Sequence, residues 1–464
     1  MRSSETMRKA AKLAQSLLVQ PLLALVLMAA TMAPAMAGQL RVGVVKTDIT
    51  PADLTALNPM GGITFSSVHD PIFARSLLIA DDTNSAAIVS LDLIEAGDMT
   101  PLRQRIEREL GIPFNNIMIA ATHDHNAPRI GDVSPGALAH PGGAESRAYT
   151  NWVYDKIIVA LKQAQAQARP AQFGLGTGEA NVNVNRDAYT LQRGWFMGFN
   201  ADGPSDKTVW VIKFTDPAGK PIAVLFNYAV HNDVMLGSNV LSGDLSGVAE
   251  RHVEANLGDG VVALWTLGPA GDQDPRIFPR PGGGGGPLAT GGAPPAGGPP
   301  GGGGISSATM VLKVQAMEAQ GVMVGGEVVR VAGTITKLTG DVKLSADARE
   351  VSCPTKQGTN QMADMTAVRV PNVGVRLGLI RLNDVALTSV GGEVVTNIFS
   401  RLKRESPLVN TMMLTITNDR IGYIPDDAAY DRPIFEVNGS PAARGCAENA
   451  IVDGLIDMIR SSGR

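Results

Sequence analysis

The sequence predicts an α/β fold of mixed sheets and helices, built as one large domain over residues 38–464. Two patterns carry that prediction: short, apolar, β-compatible runs recur along the chain, and the stretches between them repeat apolar residues every three or four positions. Length is the third observation, since a chain of 464 residues can bury an extensive core.

The chain opens with Arg2, Arg8 and Lys12, continues through an apolar segment containing Leu22-Leu23-Ala24-Leu25, and exits on Ala35-Met36-Ala37. A basic head, an apolar core and a small-x-small exit are the parts of a signal peptide over 1–37, cleaved before Gly38. An uncleaved anchor is the competing reading, but Gln20-Pro21 interrupts the apolar core short of a full span. No later segment is apolar for long enough to cross a bilayer. The expectation is therefore an exported protein, secreted or periplasmic.

Strands are expected at 40–47, 86–93 and 117–121, with helices at 101–110 and 147–168. The pattern continues with strands at 209–214 and 222–229, a helix at 245–257 and a strand at 261–266. A helix at 310–331 follows, then strands at 373–382 and 385–389, a helix at 394–404, a strand at 412–417 and a last helix at 448–460. Between these elements, 281–304 is nearly all Gly, Pro and Ala and cannot offset its own ordering entropy. It reads as a mobile Gly/Pro-rich loop inserted in the domain, because residues with candidate chemistry lie on both sides of it.

A formal net charge of −4 provides no basic surface, which argues against nucleic acid as a partner. No protein partner is implied. Cys353 and Cys446 are the two cysteines, and in an oxidising compartment they most simply form one disulfide. Two buried thiols are the alternative. Zinc ligation by them is disfavoured, since no CxxC-type spacing accompanies either.

The chemistry concentrates at strand ends. Thr122-His123-Asp124-His125 follows the 117–121 run and spends two of the chain's six histidines within three residues. Neutral imidazoles so placed suit a zinc ion, although a structural pair is the competing reading. His231 ends the 222–229 run in the same way. Ser242-Gly243-Asp244 opens the next helix with Ser or Asp available as its cap. Gly271-Asp272-Gln273-Asp274-Pro275 is a tight polar turn after the 261–266 strand, and an ordinary solvated turn would read the same. Glu393 follows Gly391-Gly392 at the expected start of a helix, where capping alone would explain a carboxylate. Tyr423 stands in a loop after the 412–417 strand and reads locally as a packed aromatic.

Taken together, these segments resemble the neutral ceramidase family, the non-lysosomal amidases also called alkaline ceramidases. The resemblance runs from Gly43-Val44-Val45-Lys46-Thr47-Asp48 through His69-Asp70-Pro71-Ile72-Phe73-Ala74-Arg75 to Ala120-Ala121-Thr122-His123-Asp124-His125, which is similar to the family's Ala-Thr-His-Thr-His motif. Asn183-Val184-Asn185-Arg186 is similar to its Asn-x-Asn-Arg motif. The resemblance implies a catalytic domain that cuts an N-acyl amide with a metal-activated water, a lipid amide as substrate, and contact with a membrane surface for access to it. It also implies zinc as cofactor, with His123, His231, Glu393 and Tyr423 as ligands and His125 and Arg186 lining the pocket as catalytic groups. Two departures stand out. The family's Gly-Asp-x-Ser-Pro turn carries Asp274 in place of serine, and the pocket tyrosine before a glutamate is Phe435, followed by Glu436. Asp274 can act as a base or bind an amine but, ionised, cannot donate a hydroxyl hydrogen bond. A different amide or ester substrate is therefore a second expectation. A catalytically silent lipid- or glycan-binding envelope protein is the third.

Overall fold

The computed structural model describes residues 38–55, 57, 64–132, 144–278, 305–356 and 370–463. The expected signal peptide (1–37) and the Gly/Pro-rich loop (281–304) lie outside the described residues.

Three sheets share one plan. In the first, Arg41–Asp48, Phe73–Ala80 and Ser85–Leu91 run antiparallel to their neighbours, and Ile117–Ala121 adds in parallel beside Ser85–Leu91. The second repeats the arrangement with Gln172–Glu179, Thr208–Thr215 and Pro221–Tyr228, followed by Val262–Leu267 in parallel. The third does so with Leu344–Pro354, Asn372–Leu382 and Val385–Val390, followed by Asn410–Leu414 in parallel. A parallel pair needs a crossover, and each has a helix: Thr100–Leu110, Asp244–Leu257 and Thr396–Glu405 respectively. Each unit then closes with a further helix, Ala144–Gln167, Ser307–Thr334 or Ala447–Ser461.

The period-two alternation of the strands explains how the units assemble. One face of all three sheets points into a common core, which joins Leu77 and Ile88 of the first sheet, Ile212, Leu225 and Leu264 of the second, and Ile380, Leu387 and Met412 of the third. The opposite faces bury their own helices. Val89 and Ile119 pack with Ile106 and Ile157, Val211 and Trp265 with Val248 and Val328, and Val375 and Val390 with Phe399 and Leu455. Truncating a residue such as Leu225 in the shared core would cost about 2–5 kcal/mol. Cys353 and Cys446 form a disulfide that ties the third sheet to its closing helix.

The carboxyl ends of the three parallel pairs converge. Asn227 of the second sheet donates to Thr266 O and to Met413 O of the third, each at 3.1 Å, and Asn232 donates to Thr122 O at 2.6 Å. A bridge between Ala120 and Thr417 closes the ring of contacts. In open sheets with parallel strands, ligands bind outside these ends, and every candidate site residue lies there or on the adjoining hairpin.

Two local expectations are corrected. Glu393 does not start a helix: Glu393–Val394 is a short strand, and the helix begins at Thr396. Asp272 occupies that helix start instead, accepting from Thr396 N at 2.9 Å and from its hydroxyl at 2.8 Å. The N-cap position of the helix Asp244–Leu257 falls on Gly243, between the two expected caps, yet both side chains meet its first N–H groups: Ser242 Oγ accepts from Asp244 N at 3.0 Å and Asp244 Oδ1 from Leu245 N at 2.7 Å. Asp244 turns back to accept from Met235 N at 2.8 Å, and Ser242 hydrogen-bonds Asp70.

Candidate metal centre

Each unit brings side chains to one point. His123 stands two residues beyond the strand Ile117–Ala121 with φ at 64°, an uncommon backbone conformation for a residue with a side chain. Its Nδ1 lies 2.8 Å from Ile94 O, which fixes the ring proton on Nδ1 and leaves Nε2 as an inward-facing lone pair. His231, beyond the strand Pro221–Tyr228, is held alike, with Nδ1 3.1 Å from Gln273 O. The third unit supplies two groups from one device. Glu393–Val394 and Tyr423–Ile424 pair in parallel with Glu393 directly opposite Tyr423.

Glu393 Oε2 lies 3.2 Å from His123 Nε2 and 3.5 Å from His231 Nε2. His125 Nε2 is 3.2 Å from His123 Nε2, and the three imidazoles bring ligating atoms within 4.8 Å of one another. His123, His231 and Glu393 are almost fully buried. With both Nδ1 atoms donating to carbonyls, three lone-pair donors face each other and, among the described residues, Glu393 Oε2 has no hydrogen-bond donor. That arrangement repels itself unless a cation stands between the groups, so the residues fit a divalent ion.

The surrounding charges match. Arg420 holds the other Glu393 oxygen through Nη2 at 2.7 Å and ion-pairs Glu95 through Nε at 3.1 Å. Burial would raise the Glu393 carboxyl, but charged neighbours, the Arg420 guanidinium among them, hold it well below the usual carboxylate range. Burial, then Arg186, pushes His231 down to about 4, which keeps it neutral as a ligand must be. Burial, then its histidine neighbours, takes His125 well below the imidazole range. Burial, then Glu393, raises the Tyr423 phenol well above its ordinary range, so this side chain ionises only with a cation at hand.

Arg186 forms the opposite wall. Its guanidinium donates through Nε to Glu436 at 2.7 Å, through Nη1 to Asp274 at 3.0 Å and through Nη2 to Gly271 O at 2.7 Å. It also hydrogen-bonds the Tyr423 phenol, and its Nη1 is 3.3 Å from His231 Nε2. The Asp274 carboxylate is therefore engaged by a cation. Phe435 sets its ring against Tyr423 with 5.3 Å between centroids. All seven residues singled out in the sequence thus gather in one place. Arg420 and Glu95 were not singled out there, and Glu436 was noted only as the residue after Phe435, since a charged residue in a loop or a very short element has no periodicity to mark it. Their only signal is position, each falling within a few residues of a strand end or of another site residue.

A model of the family described as neutral/alkaline non-lysosomal ceramidase, N-terminal, matches residues 40–279, more than half of the chain. The chain belongs to the neutral/alkaline non-lysosomal ceramidase family. Among solved structures, neutral ceramidase from Pseudomonas aeruginosa is similar in fold, with a TM-score of 0.68 at 16% identity over 91% of this chain and 75% of that one. A ceramidase complexed with C2 gives a TM-score of 0.68 at 17% identity, covering 91% and 76% of the two chains. No curated protein matches the chain by sequence. The ceramidase family match includes His123, His125, Arg186, His231 and Asp274, whereas Glu393 and Tyr423 lie beyond it.

Proposed function

We propose that this ceramidase-family chain is an exported zinc-dependent amidase that hydrolyses the N-acyl amide of a ceramide or ceramide-like lipid to a sphingoid base and a fatty acid. The observation that carries the reading is the meeting of His123 Nε2, His231 Nε2 and Glu393 Oε2, with 3.2 and 3.5 Å from the carboxylate to the two imidazoles. Donors about 2.0–2.1 Å from a tetrahedral zinc stand about 3.3 Å apart, so the spacing suits that ion. His123, His231, Glu393 and Tyr423 would hold it. When bound there, zinc supplies Lewis acidity that polarises the scissile carbonyl and readies a water for attack.

The chain's own groups do the rest. His125, kept neutral by burial, takes a proton from the attacking water and passes it to the leaving nitrogen. Arg186 presents a fixed cation toward the carbonyl oxygen, its charge maintained by Asp274, Glu436 and Tyr423. Phe435 excludes water beside Tyr423. Export is supported by the Cys353–Cys446 disulfide and by the N-terminal composition. Among the described residues no helix is long and apolar enough to cross a membrane, and the substrate would be drawn from a membrane surface.

A second reading keeps the metal and the reaction but assigns another amide or ester. It rests on the Asp274–Arg186 ion pair, which stands where the family has a hydroxyl and spends part of the guanidinium on an internal partner. The test is metal analysis with turnover of a long-chain ceramide and a soluble acylamide, before and after chelation. Zinc near one per chain, lost together with ceramide turnover, supports the first reading. Turnover of the acylamide alone selects the second, and bound metal with no turnover of any amide or ester leaves only a silent binding protein.

A further inference from the structure

Behind Arg420, on the side away from the histidines, lies a cavity of about 150 Å³ that the catalytic reading does not use. Three guanidiniums line it, from Arg129, Arg147 and Arg420, against two carboxylates, Glu95 and Asp132. Arg129 is only 9% exposed, and among the described residues its Nη1 is buried without a hydrogen-bond partner. Among the described residues its ion-pair partner is Glu95, 3.3 Å from Nε, and Glu95 is shared with Arg420 at 3.1 Å. A buried guanidinium with an idle arm is costly, since each unmet donor forfeits its hydration. The Thr150 hydroxyl also faces the cavity; its oxygen accepts from Gly131 N at 3.3 Å, which leaves its proton to donate. Ile130 and Tyr154 add an apolar flank.

We propose that this cavity is a binding site for a small carboxylate monoanion, held by Arg129 and the Thr150 hydroxyl with its short carbon chain against Ile130 and Tyr154. The donors decide the class. Arg129 Nη1 and the Thr150 hydroxyl are two donors that the two oxygens of one carboxylate can take, whereas a phosphate dianion would bring two charges to a set in which Arg420 is already paired with Glu393 at 2.7 Å and with Glu95 at 3.1 Å. The planar fork of Arg129 matches a carboxylate in geometry. The volume takes an acid of a few carbons and excludes a long acyl chain. Because Arg420 lies between this cavity and Glu393, a bound acid reaches the metal centre through one guanidinium.

The test is titration of the full mature chain with sodium butyrate at constant ionic strength, followed by calorimetry or ligand-detected NMR. Wild type, His123→Ala, Arg129→Gln and Arg129→Lys are compared, with inorganic phosphate as the competing probe. Saturable binding is expected in wild type and in His123→Ala, and a loss of at least about tenfold in both Arg129 variants, since lysine keeps the charge but not the fork. Thermal melts identify any variant that fails to fold, and the lysine variant serves if the glutamine variant does. Absence of saturable binding to folded wild type overturns the proposal. So does binding that survives in Arg129→Lys but vanishes in His123→Ala, which would put the acid on the metal. Phosphate that displaces butyrate at equal concentration overturns the assignment to a carboxylate.

Discussion

The first and third units deliver their candidate ligands by different means. His123 arrives alone, on one residue with a left-handed φ of 64° and a ring pinned by Ile94 O. Glu393 and Tyr423 arrive as a pair, opposite one another across two short parallel strands. The first device is a local conformation; the second is a register. A perturbation near His123 should displace one ligand, whereas a perturbation of the 393–394 backbone should displace two.

The sharpest way to break the comparison is to remove a ligand from each side. His123→Ala and Glu393→Ala are each expected to lower turnover and metal content by more than the 10–100-fold typical of an outer-shell partner. Metal analysis beside steady-state kinetics checks this, and retained metal in either variant counts against that residue as a ligand. Next in size is Gly271→Ala. A Cβ there would sit 2.7 Å from Glu393 O and 3.0 Å from the Val394 carbonyl carbon, so backbone must move. We expect about 1–3 kcal/mol of destabilisation, with metal affinity falling as the paired strands shift. Thermal melts and a zinc competition assay measure both, and unchanged metal affinity would refute the register account.

A smaller effect separates the imidazoles by pH in metal-stripped protein. His231 is neutral in the folded state down to about 4, whereas an unfolded histidine gains its proton at its ordinary value of 6.5. Between those values the unfolded chain binds more protons, so stability falls as pH drops, by about 2 kcal/mol at about pH 5. Denaturant melts across that window should show the slope in wild type and a flatter one in His231→Gln. The smallest expected change is Asp274→Ser, which frees Arg186 Nη1 from its 3.0 Å ion pair and restores a hydroxyl. A severalfold gain of ceramide over acylamide turnover is expected from a competition assay, in line with the modest value of one polar contact. No change would detach substrate choice from that position.

The comparison also shows what the sequence could reveal. The strand ends carrying His123 and His231 are visible as apolar runs, and all six long helices fall within a few residues of their expected places. Several strands escape notice for physical reasons. Gln172–Glu179 contains Gly174, Gly176 and Gly178, which read as loop residues yet lie on the face where the helix Ser307–Thr334 and the segment following it approach. A Cβ at Gly176 would come 2.8 Å from Val331, and one at Gly178 would come 2.6 Å from the same side chain. Phe73–Ala80 is buried but carries Arg75, whose charge breaks the apolar pattern; only in three dimensions do Asp92 at 2.8 Å and Glu250 at 2.7 Å account for it. The Glu393–Tyr423 register is invisible for another reason. Two-residue strands have no period to detect, and their pairing is decided by contacts far apart in the chain.

The convergence of the three parallel pairs has a mechanical consequence. Each unit owns part of the centre, so an ion bound there would act as a rivet through the whole molecule, stabilising the native state with the logarithm of one plus the ratio of its free concentration to its Kd. Stripping it should loosen the seams between units before any one unit melts. Limited proteolysis of chelated protein would then cut at the junctions between units, near 168–172 and 335–343, and spare the central strands of the sheets.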